Sequence, residues 1–543
     1  MFRLKMEVVA ALAAWSIASV CENVPMSSHW VRGLCPRSKD VNDLGIKLSP
    51  TAKVYFPGSE EFEVASTRWS VLDAPKVNIV VVPGTENDVV ETVKFANEKD
   101  LPFLAYNGAH GAITTLGRMD HGIEIFLDQL NTIHIADDGK TVRIGGGTKS
   151  KAVIDRLWEA GKQTGESTLE SPSERIVDID MELVSGTCEC VSFLGPALGG
   201  GHGWLQGHHG LVADQFVSMN IVLADGSLKA LDKQSDLWWA MNGAGHNFGI
   251  VTSVTTKLYD VVHHDWAIET LTFSGDKVEA VYQAANDHLL KNGTQPEGVI
   301  NWSYWLNNPD ADPENVSLSI CQDVLRANQV FKPVILFYII QEGVKVVDSA
   351  YTKPFHDIGP LSKEPKGGSY TDLAEWTGIS LSSPPCQKAG LVNPRFPNYL
   401  EEYNVPAQKE AYEIFANAIR GSSPFNNSIF MFEGYSMQGV KAIDSKSSAF
   451  AFRGENILSA PLITYAPAGP ELDKKASELG NELRQVLHKA SGRPEVRAYV
   501  NYAYGDETPQ QWYGSEKWRQ GRLQALKQKY DPTGKFSFFA PIA

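Results

Sequence analysis

The stretch SGTCECVSFLGPALGGGHGWLQGHHG, residues 185–210, holds two cysteines, three histidines and a run of three glycines. A metal site, a nucleotide-binding loop and an attachment point for another group would each use such residues. Structural zinc sites usually separate paired ligands by two to four residues. Here one residue separates Cys188 from Cys190, and five separate His202 from the histidine pair at 208–209. We therefore expect no metal site.

Glycine clusters favour a phosphate-containing ligand. They lie at residues 107–111, 199–203 and 243–249, and none has the spacing of a phosphate-binding loop or of the dinucleotide fingerprint. Glycine lets consecutive backbone N–H groups approach a phosphate closely. Because the clusters are spread through strand-like segments, together they predict one extended pyrophosphate ligand.

Hydrophobic periodicity predicts a mixed α+β chain. Residues 76–130 alternate strand, helix and strand, and a second such unit begins at Thr141. Residues 216–232 read as a hairpin with a tight turn at Asp225-Gly226. Residues 263–490 mix strands and helices, and we expect the C-terminal tail to return to the first unit.

Composition limits the partners and the compartment. A net charge of −15 without a basic run argues against nucleic acid and anionic membranes. Arg3 and Lys5 precede an apolar run at residues 8–20, which is typical of a secretory signal and too short to cross a bilayer. We expect entry into the secretory pathway, a secreted or vesicular protein, and no membrane insertion; the oligomeric state stays open. The candidate N-glycosylation sites are Asn292, Asn301, Asn315 and Asn426.

Five motifs carry a resemblance to a known family. In chain order they are PGTENDVVETVKFANEKDLPFLAYNGAHG, GTCECVSFLGPALGGGHG, ADGSL, NFGIVTSVT and YVNYAYGDE. They resemble the flavin-dependent oxidases of the vanillyl-alcohol-oxidase superfamily, specifically its berberine-bridge-enzyme-like branch. The resemblance covers about residues 76–262 and 495–540. It implies an α+β fold in which a two-part PCMH-type FAD-binding domain, an N-terminal region plus a C-terminal return, holds an inserted α+β substrate domain.

The resulting division of the chain has five parts. We expect a signal peptide at 1–20, an N-terminal segment at 21–75, the FAD-binding domain at 76–262, the substrate domain at 263–490, and a C-terminal segment at 491–543 that completes the FAD site.

The resemblance also assigns the cofactor residues. In that family a histidine and a cysteine can each bond covalently to the flavin ring, and these positions are His110 and Cys188. Cys188 keeps the family's spacing, eleven residues before the glycine triplet. Ala109 and Ser192 each stand where the family usually has glycine. The other residues assigned to FAD are Asn107, Gly108, Ala109, Gly111, Gly199, Gly200, Gly201, Gly203, Asn247, Gly249, Ile250 and Asn501.

Two further expectations concern cysteines. We expect Cys190 to be a small buried residue. Six cysteines permit disulfides, and Cys21–Cys35 and Cys321–Cys386 are plausible pairs.

Tyr502 is the catalytic candidate that the resemblance implies, as a base that takes a hydroxyl proton while hydride leaves. The motif at 499–502 reads as a strand, which would place Asn501 and Tyr502 on opposite faces. A free tyrosine titrates near ~10, so Tyr502 needs a nearby positive charge or donor to act at neutral pH. Oxygen would then reoxidise the flavin and yield hydrogen peroxide.

Several functions remain open. The leading hypothesis is an oxidase that acts on a small secondary metabolite, with O2 as electron acceptor. The alternatives are a secreted carbohydrate oxidase, a redox-neutral cyclase and an inactive flavoprotein or binding module. The aromatic residues Trp302, Tyr304 and Trp305 are expected to pack in a core.

The segment at 165–183 interrupts the family pattern. The segment has nineteen residues, is polar as a whole, carries six acidic side chains and separates a predicted helix from the Cys188 motif. Codons for Gly-Glu-Ser can contain GTGAGT, and codons for Leu-Val can supply an AG end. These residues are therefore either translated intron or a genuine surface loop, and sequencing of the transcript decides between them.

Overall fold

The computed structural model describes residues 44–163, 181–182, 184–291, 293–308 and 332–542. The expected signal peptide, most of the 165–183 segment, Cys21, Cys35, Cys321, Asn292 and Asn315 lie outside these residues. Among the described residues, no helix has the length and hydrophobicity needed to cross a membrane.

A four-stranded sheet begins the described chain. Its strands lie in the order β1-β2-β4-β3, with β3 and β2 parallel to β4 and β1 antiparallel to β2. Their bounds are β1 Lys53–Tyr55, β2 Val77–Val82, β3 Phe103–Tyr106 and β4 Gly122–Phe126. The predicted strand–helix–strand unit is present, because a helix at Glu86–Glu98 joins β2 to β3 and is capped by reciprocal bonds between Thr85 and Asp88.

A second sheet has five antiparallel strands in the order β5-β6-β10-β8-β9. The predicted hairpin is confirmed as β8 and β9. A separate two-stranded ladder joins β7 to β11. The bounds are β5 Ile133–Ile135, β6 Thr141–Gly145, β7 Met181–Glu182, β8 Phe216–Val222, β9 Leu228–Asp232, β10 Ile250–Lys257 and β11 Tyr259–Asp260.

A third sheet has seven antiparallel strands in the order β15-β12-β14-β13-β17-β18-β16. Their bounds are β12 Trp266–Phe273, β13 Val299–Leu306, β14 Val334–Glu342, β15 Ser362–Gly368, β16 Asn398–Leu400, β17 Ile429–Gly434 and β18 Ile457–Leu462.

Helices pack against these sheets. In chain order they are α1 Glu60–Ser66, α2 Glu86–Glu98, α3 Ser150–Gln163, α4 Leu194–Ala197, α5 Gln206–His209, α6 Trp238–Ala244, α7 Val278–Ala284, α8 Ser349–His356, α9 Leu373–Trp376, α10 Val405–Ile419, α11 Gln438–Lys441, α12 Pro470–Ala490, α13 Pro509–Tyr513 and α14 Lys517–Tyr530.

The seven-stranded sheet has two different faces, because side chains alternate along a strand. On β13, Trp305 points into a buried cluster with Phe415 of α10 and with Phe430 and Phe432 of β17. Trp302 belongs to the other large core, where it stacks on Trp204 with ring centroids 4.6 Å apart. One face of the seven-stranded sheet therefore packs on helices. The other face packs against described residues that precede β12 in the chain. The structure is mixed α and β, as expected; the predicted domain boundaries stay predictions.

Candidate active site

A cavity of about 510 Å³ brings together residues from distant parts of the chain. It is lined by the loop around His110, the turn around Cys188, the inner face of the seven-stranded sheet and the C-terminal tail that includes Tyr502. A volume of this size is ordinary for a small-molecule site. The two predicted attachment residues and the predicted base therefore share one cavity.

The His110 ring is fixed by two contacts. It stacks on Trp69, with ring centroids 4.3 Å apart, and its Nε2 lies 2.8 Å from the carbonyl oxygen of Pro385. Because a carbonyl only accepts, the contact with Pro385 favours the tautomer in which Nε2 carries the proton and Nδ1 is unprotonated. Burial, with a smaller effect of the Arg395 charge, lowers the pKa of His110 to about 3. The ring is thus neutral and presents one nucleophilic nitrogen.

The residue before His110 adopts an unusual backbone conformation. Ala109 has a φ of 53°, in the left-handed region that favours glycine. For alanine this costs on the order of 1 kcal/mol. Ala109 stands where the family usually has glycine, and the loop nevertheless has a backbone conformation typical of glycine at this residue.

Three cysteines meet beside this loop. Cys190 is disulfide-bonded to Cys386, which replaces the expected Cys321–Cys386 pair and the expectation that Cys190 is merely a small buried residue. Cys188 is a free thiol, 3.6 Å from Cys190 Sγ and 3.7 Å from Cys386 Sγ. Burial raises the pKa of Cys188 to about 11.

A buried carboxyl group faces the predicted base. Tyr502 donates to Oε1 of Glu433 at 2.9 Å, and Tyr435 donates to Oε2 at 3.0 Å. Burial raises the pKa of Glu433 and that of Tyr502, and the neighbouring Glu433 raises the pKa of Tyr502 further. The three groups form one hydrogen-bonded unit.

Arg395 places a positive charge beside Tyr502, although burial still raises the pKa of Tyr502 above its usual value. Its guanidinium carbon lies 4.4 Å from the centre of the Tyr502 ring and 4.5 Å from that of Trp69, so the group is held between two aromatic rings. Its charge opposes the rise in the pKa of both Tyr502 and Glu433.

The conformation at Tyr502 differs from the prediction. Residues Val500–Tyr502 form a short 3₁₀ turn rather than a strand, so the expectation that Asn501 and Tyr502 lie on opposite faces is wrong. In a pleated strand, adjacent side chains point to opposite faces, but in a tight turn they do not. Both residues line the cavity, and Asn501 donates to Pro196 O and to the Tyr499 hydroxyl.

The inner face of the seven-stranded sheet forms an apolar wall. Trp302 and Tyr304 line this wall. Trp302 is also packed in a core, as expected, and so is Trp305. Aliphatic side chains continue the wall at Leu306, Leu336, Ile429, Met431 and Leu462. Glu433 is therefore an acidic group within an otherwise apolar strand face.

Four side-chain atoms of cavity-lining residues lack hydrogen-bond partners among the described residues. They are Asn107 Oδ1, His246 Nε2, Trp302 Nε1 and Arg395 Nε, and each is buried. Buried polar atoms in folded proteins nearly always have a hydrogen-bond partner. A flavin, with ring carbonyls, ring nitrogens and a polyhydroxylated chain, offers such partners, so the residues fit FAD.

The remaining predicted cofactor residues divide into two groups. Those that line the cavity are Asn107, Gly108, Ala109, Gly111, Gly249 and Ile250. Those that do not are Gly199, Gly200, Gly201, Gly203 and Asn247. The glycine triplet instead permits close packing, since a Cβ on Gly199 would lie 2.4 Å from Asn501 Oδ1. Asn247 holds the C-terminal tail through Ala540 and Ile542.

Sequence reasoning did not identify Glu433, Arg395 or Tyr435. The signal for Glu433 is the segment IFMFEG, where an acidic residue falls in register with Ile429 and Met431 on an apolar strand face. No comparable local pattern marks Arg395, because its loop comes to Tyr502 only through the tertiary fold.

One glycosylation candidate is contradicted. Asn301 lies within β13, is 1% exposed and donates to Tyr338 O, so its side chain cannot receive a glycan in the folded protein. Asn426 is exposed.

Comparisons with known proteins identify the family of the chain. The FAD binding domain model matches residues 77–173, and the berberine and berberine like model matches residues 498–543. The FAD-linked oxidoreductase chyH of Penicillium rubens is 61% identical over 99% of this chain and 100% of its own length. The FAD-linked oxidoreductase chry5 of Gibberella zeae is 56% identical over 94% of this chain and 96% of its own.

A solved structure shares the fold. The glucooligosaccharide oxidase of Acremonium strictum, whose structure is described with a 6-S-cysteinyl, 8α-N1-histidyl FAD, has a TM-score of 0.72 at 17% identity, covering 93% of this chain and 98% of that one. The chain belongs to the FAD-linked oxidoreductases of the berberine-bridge-enzyme-like branch of the vanillyl-alcohol-oxidase superfamily.

Proposed function

We propose that this oxidoreductase is an oxidase that removes hydride from a hydroxyl-bearing or amine-bearing carbon of a small, largely apolar metabolite, with O2 as acceptor. The observation that carries the proposal is the single cavity in which His110 and Cys188 face the pair formed by Glu433 and Tyr502. FAD, when bound, would supply the acceptor for the hydride and pass the electrons to oxygen.

His110 and Cys188 are the residues that would hold the cofactor covalently. The unprotonated Nδ1 of His110 and the free thiol of Cys188 are nucleophiles on this side of the cavity wall. The histidyl and cysteinyl bonds of the Acremonium strictum oxidase use the same two residue types. Asn107, His246 and Trp302 supply unpaired polar atoms for the ring system or the substrate.

The proton of the substrate would pass to the Tyr502–Glu433 pair. A carboxyl group whose pKa is raised by burial is better matched to proton transfer near neutral pH than an exposed one. Tyr502 would contact the substrate hydroxyl, and its own proton would move to Glu433 Oε1 along the 2.9 Å hydrogen bond. Arg395 would offset the negative charge that this transfer leaves in the cavity.

The cavity wall favours an apolar substrate body. Leu306, Leu336, Ile429 and Met431 offer no partner to a sugar hydroxyl, and leaving such a group unpaired in a closed site is costly. Trp302 and Tyr304 are suited to a planar or aromatic group. This favours a secondary metabolite over an oligosaccharide.

A carbohydrate oxidase is the second candidate. Structures described as glucooligosaccharide and xylooligosaccharide oxidases share the fold with TM-scores of 0.72, and the aromatic side chains of the wall would also stack on sugar rings.

The test begins with the purified full chain, denatured in acid and separated on a gel under ultraviolet light. Mass mapping of the fluorescent band is expected to place flavin on the peptides of both His110 and Cys188. Protein without any flavin, bound or released, would contradict the proposal.

The second step is a peroxide assay with aromatic alcohols, alkyl alcohols, amines and xylo- or gluco-oligosaccharides. We expect peroxide with members of the first three groups. Peroxide with oligosaccharides alone would establish the second candidate. Turnover without oxygen and without bleaching of the flavin would indicate a redox-neutral cyclase instead. A flavin that no compound bleaches would point to a catalytically silent flavoprotein.

A further inference from the structure

The disulfide beside the cavity joins two separate segments of the chain. Cys190 belongs to the turn that carries Cys188, and Cys386 ends a short turn at Pro384–Cys386. The Cys188 thiol is almost equally distant from the two bonded sulfurs, at 3.6 and 3.7 Å. The thiol therefore lies beside the S–S bond and not in line with it, so exchange requires a rotation of the Cys188 side chain that brings its sulfur opposite the bond that breaks.

The segment that carries Cys386 is held by contacts other than the disulfide. The backbone N–H of Glu189 donates to Ile379 O at 3.2 Å, and the Glu189 carboxylate accepts from the N–H of Leu381 at 2.8 Å. His110 donates to Pro385 O, next to Cys386. Cys386 therefore stays close to Cys188 when its bond to Cys190 is broken.

We propose that Cys188 and Cys190 are alternative disulfide partners of Cys386, and that exchange among the three decides whether Cys188 is free to hold the cofactor. In the exchange, the Cys188 thiol gives its proton to solvent and its sulfur attacks Cys386 Sγ. The Cys190–Cys386 bond breaks, the Cys188–Cys386 bond forms, and Cys190 leaves as a thiolate that takes up a proton. One disulfide and one thiol are present before and after, so no oxidant is consumed.

The two forms differ in their consequence for FAD. With Cys190 bound to Cys386, Cys188 is a thiol at the cavity wall; with Cys188 bound to Cys386, its sulfur is blocked. Conversely, a Cys188 already bonded to flavin cannot exchange, which fixes the Cys190–Cys386 pair. This second consequence rests on the proposed function, whereas the exchange itself does not.

The rate of exchange depends on the fraction of thiolate. Burial raises the pKa of Cys188 to about 11, so the thiolate fraction, and with it the rate, rises about tenfold per pH unit between pH 7 and 9. The form in which Cys188 is free is therefore preserved best at low pH.

The experiment maps disulfides in the full-length protein by trapping thiols with an alkylating agent and digesting without reduction. Cys190→Ser protein is incubated with reduced and oxidised glutathione, with Cys188→Ser and Cys386→Ser as matched controls. We expect a Cys188–Cys386 peptide in Cys190→Ser and at least a tenfold loss of flavin on the Cys188 peptide. Cys188→Ser should retain Cys190–Cys386, and Cys386→Ser should retain flavin on Cys188.

Alkylated Cys188 and Cys386 in folded Cys190→Ser protein would overturn the proposal. Wild-type protein made under riboflavin limitation allows a measurement without any amino-acid substitution. We expect both Cys190–Cys386 and Cys188–Cys386 peptides. The Cys188–Cys386 peptide should form faster at pH 9 than at pH 7. Exclusive Cys190–Cys386 pairing there would also overturn it. Absence of flavin in every sample would contradict the proposed function. It would not affect the test of the exchange, because disulfide mapping needs no flavin.

Discussion

The Tyr502 hydroxyl donates to Glu433 Oε1 at 2.9 Å, which joins the C-terminal tail to strand β17 at the cavity wall. The pKa of each group is raised, chiefly because both are buried. Two ionisable groups in such contact titrate as a pair, since ionising one makes it harder to ionise the other. In the proposed mechanism, the proton of this hydrogen bond would move from Tyr502 to Glu433, and Tyr502 would take up the proton of the substrate hydroxyl.

Replacing the carboxyl group tests this pair. Glu433→Gln keeps the shape but removes the proton acceptor, so we expect kcat to fall by about 10²–10⁴-fold with a smaller change in KM. Tyr502→Phe should give a fall of similar order. Tyr435→Phe, which removes only the bond to Oε2, is the control and should cost less. An unchanged kcat in Glu433→Gln would remove Glu433 from the mechanism.

The charge of Arg395 should be visible in the pH profile. Arg395→Met keeps an apolar side chain between Trp69 and Tyr502 but removes the charge that lowers the pKa of Glu433 and Tyr502. Both pKa values should then rise, so the acid limb of kcat/KM should move to higher pH. The control is Lys388→Met, because the Lys388 charge acts on His110 but is not among the causes of either shift. A profile that does not move in Arg395→Met would contradict the role of this charge.

Local patterns predicted the elements better than the site. The hairpin β8–β9 and the strand–helix–strand unit that contains α2 follow from apolar periodicity and turn or capping residues in single segments. The turn at Val500–Tyr502 did not, because alternation over four residues cannot distinguish a strand from a 3₁₀ turn that is held by the Asn501 side chain.

Residues that meet through the tertiary fold were beyond sequence reasoning. Cys386 is 196 residues from Cys190, and nothing local favours it over Cys321 as a partner. The resemblance placed His110, Cys188 and Tyr502 at one site, and the cavity contains all three. It also assigned the triplet at 199–201 to the cofactor, which stays a prediction; in the structure these glycines allow close packing against Asn501, Phe450 and Val212.

His208 should make stability depend on pH in the alkaline range. Its ring bridges Glu342 at 2.6 Å and Glu297 at 2.9 Å, and its neighbour His209 lies 5.9 Å away, centroid to centroid. The bond to Glu342 is the main reason that the pKa of His208 rises to about 9. A pKa raised in the folded state stabilises the protein fully below the unfolded value of about 6.5 and loses that effect as the pH rises through about 9.

His208→Gln should therefore lower the free energy of unfolding by about 2 kcal/mol at pH 6, and by much less above pH 9. Urea unfolding of the variant and of the wild type from pH 6 to pH 10 measures the difference. Glu342→Gln should abolish most of the same pH dependence. If the free energies of unfolding of the wild type and of His208→Gln differ by the same amount from pH 6 to pH 10, the charge of His208 is not the cause of the difference.

Asn247 should control the attachment of the C-terminal tail. Its side chain is fully buried, donates to the Tyr513 hydroxyl at 3.0 Å and to Ala540 O at 3.2 Å, and accepts from the N–H of Ile542 at 2.9 Å. Asn247→Ala leaves the Ile542 N–H without this partner, so we expect unfolding to cost about 2–4 kcal/mol less.

The tail also contributes Phe538 and Phe539 to the cavity wall. Loosening it in Asn247→Ala should therefore weaken retention of flavin as well as stability, and limited proteolysis should cut the tail faster than in the wild type. A variant that unfolds like the wild type yet loses flavin would mean that Asn247 acts on the cofactor directly, as the family resemblance first implied, and not through the tail.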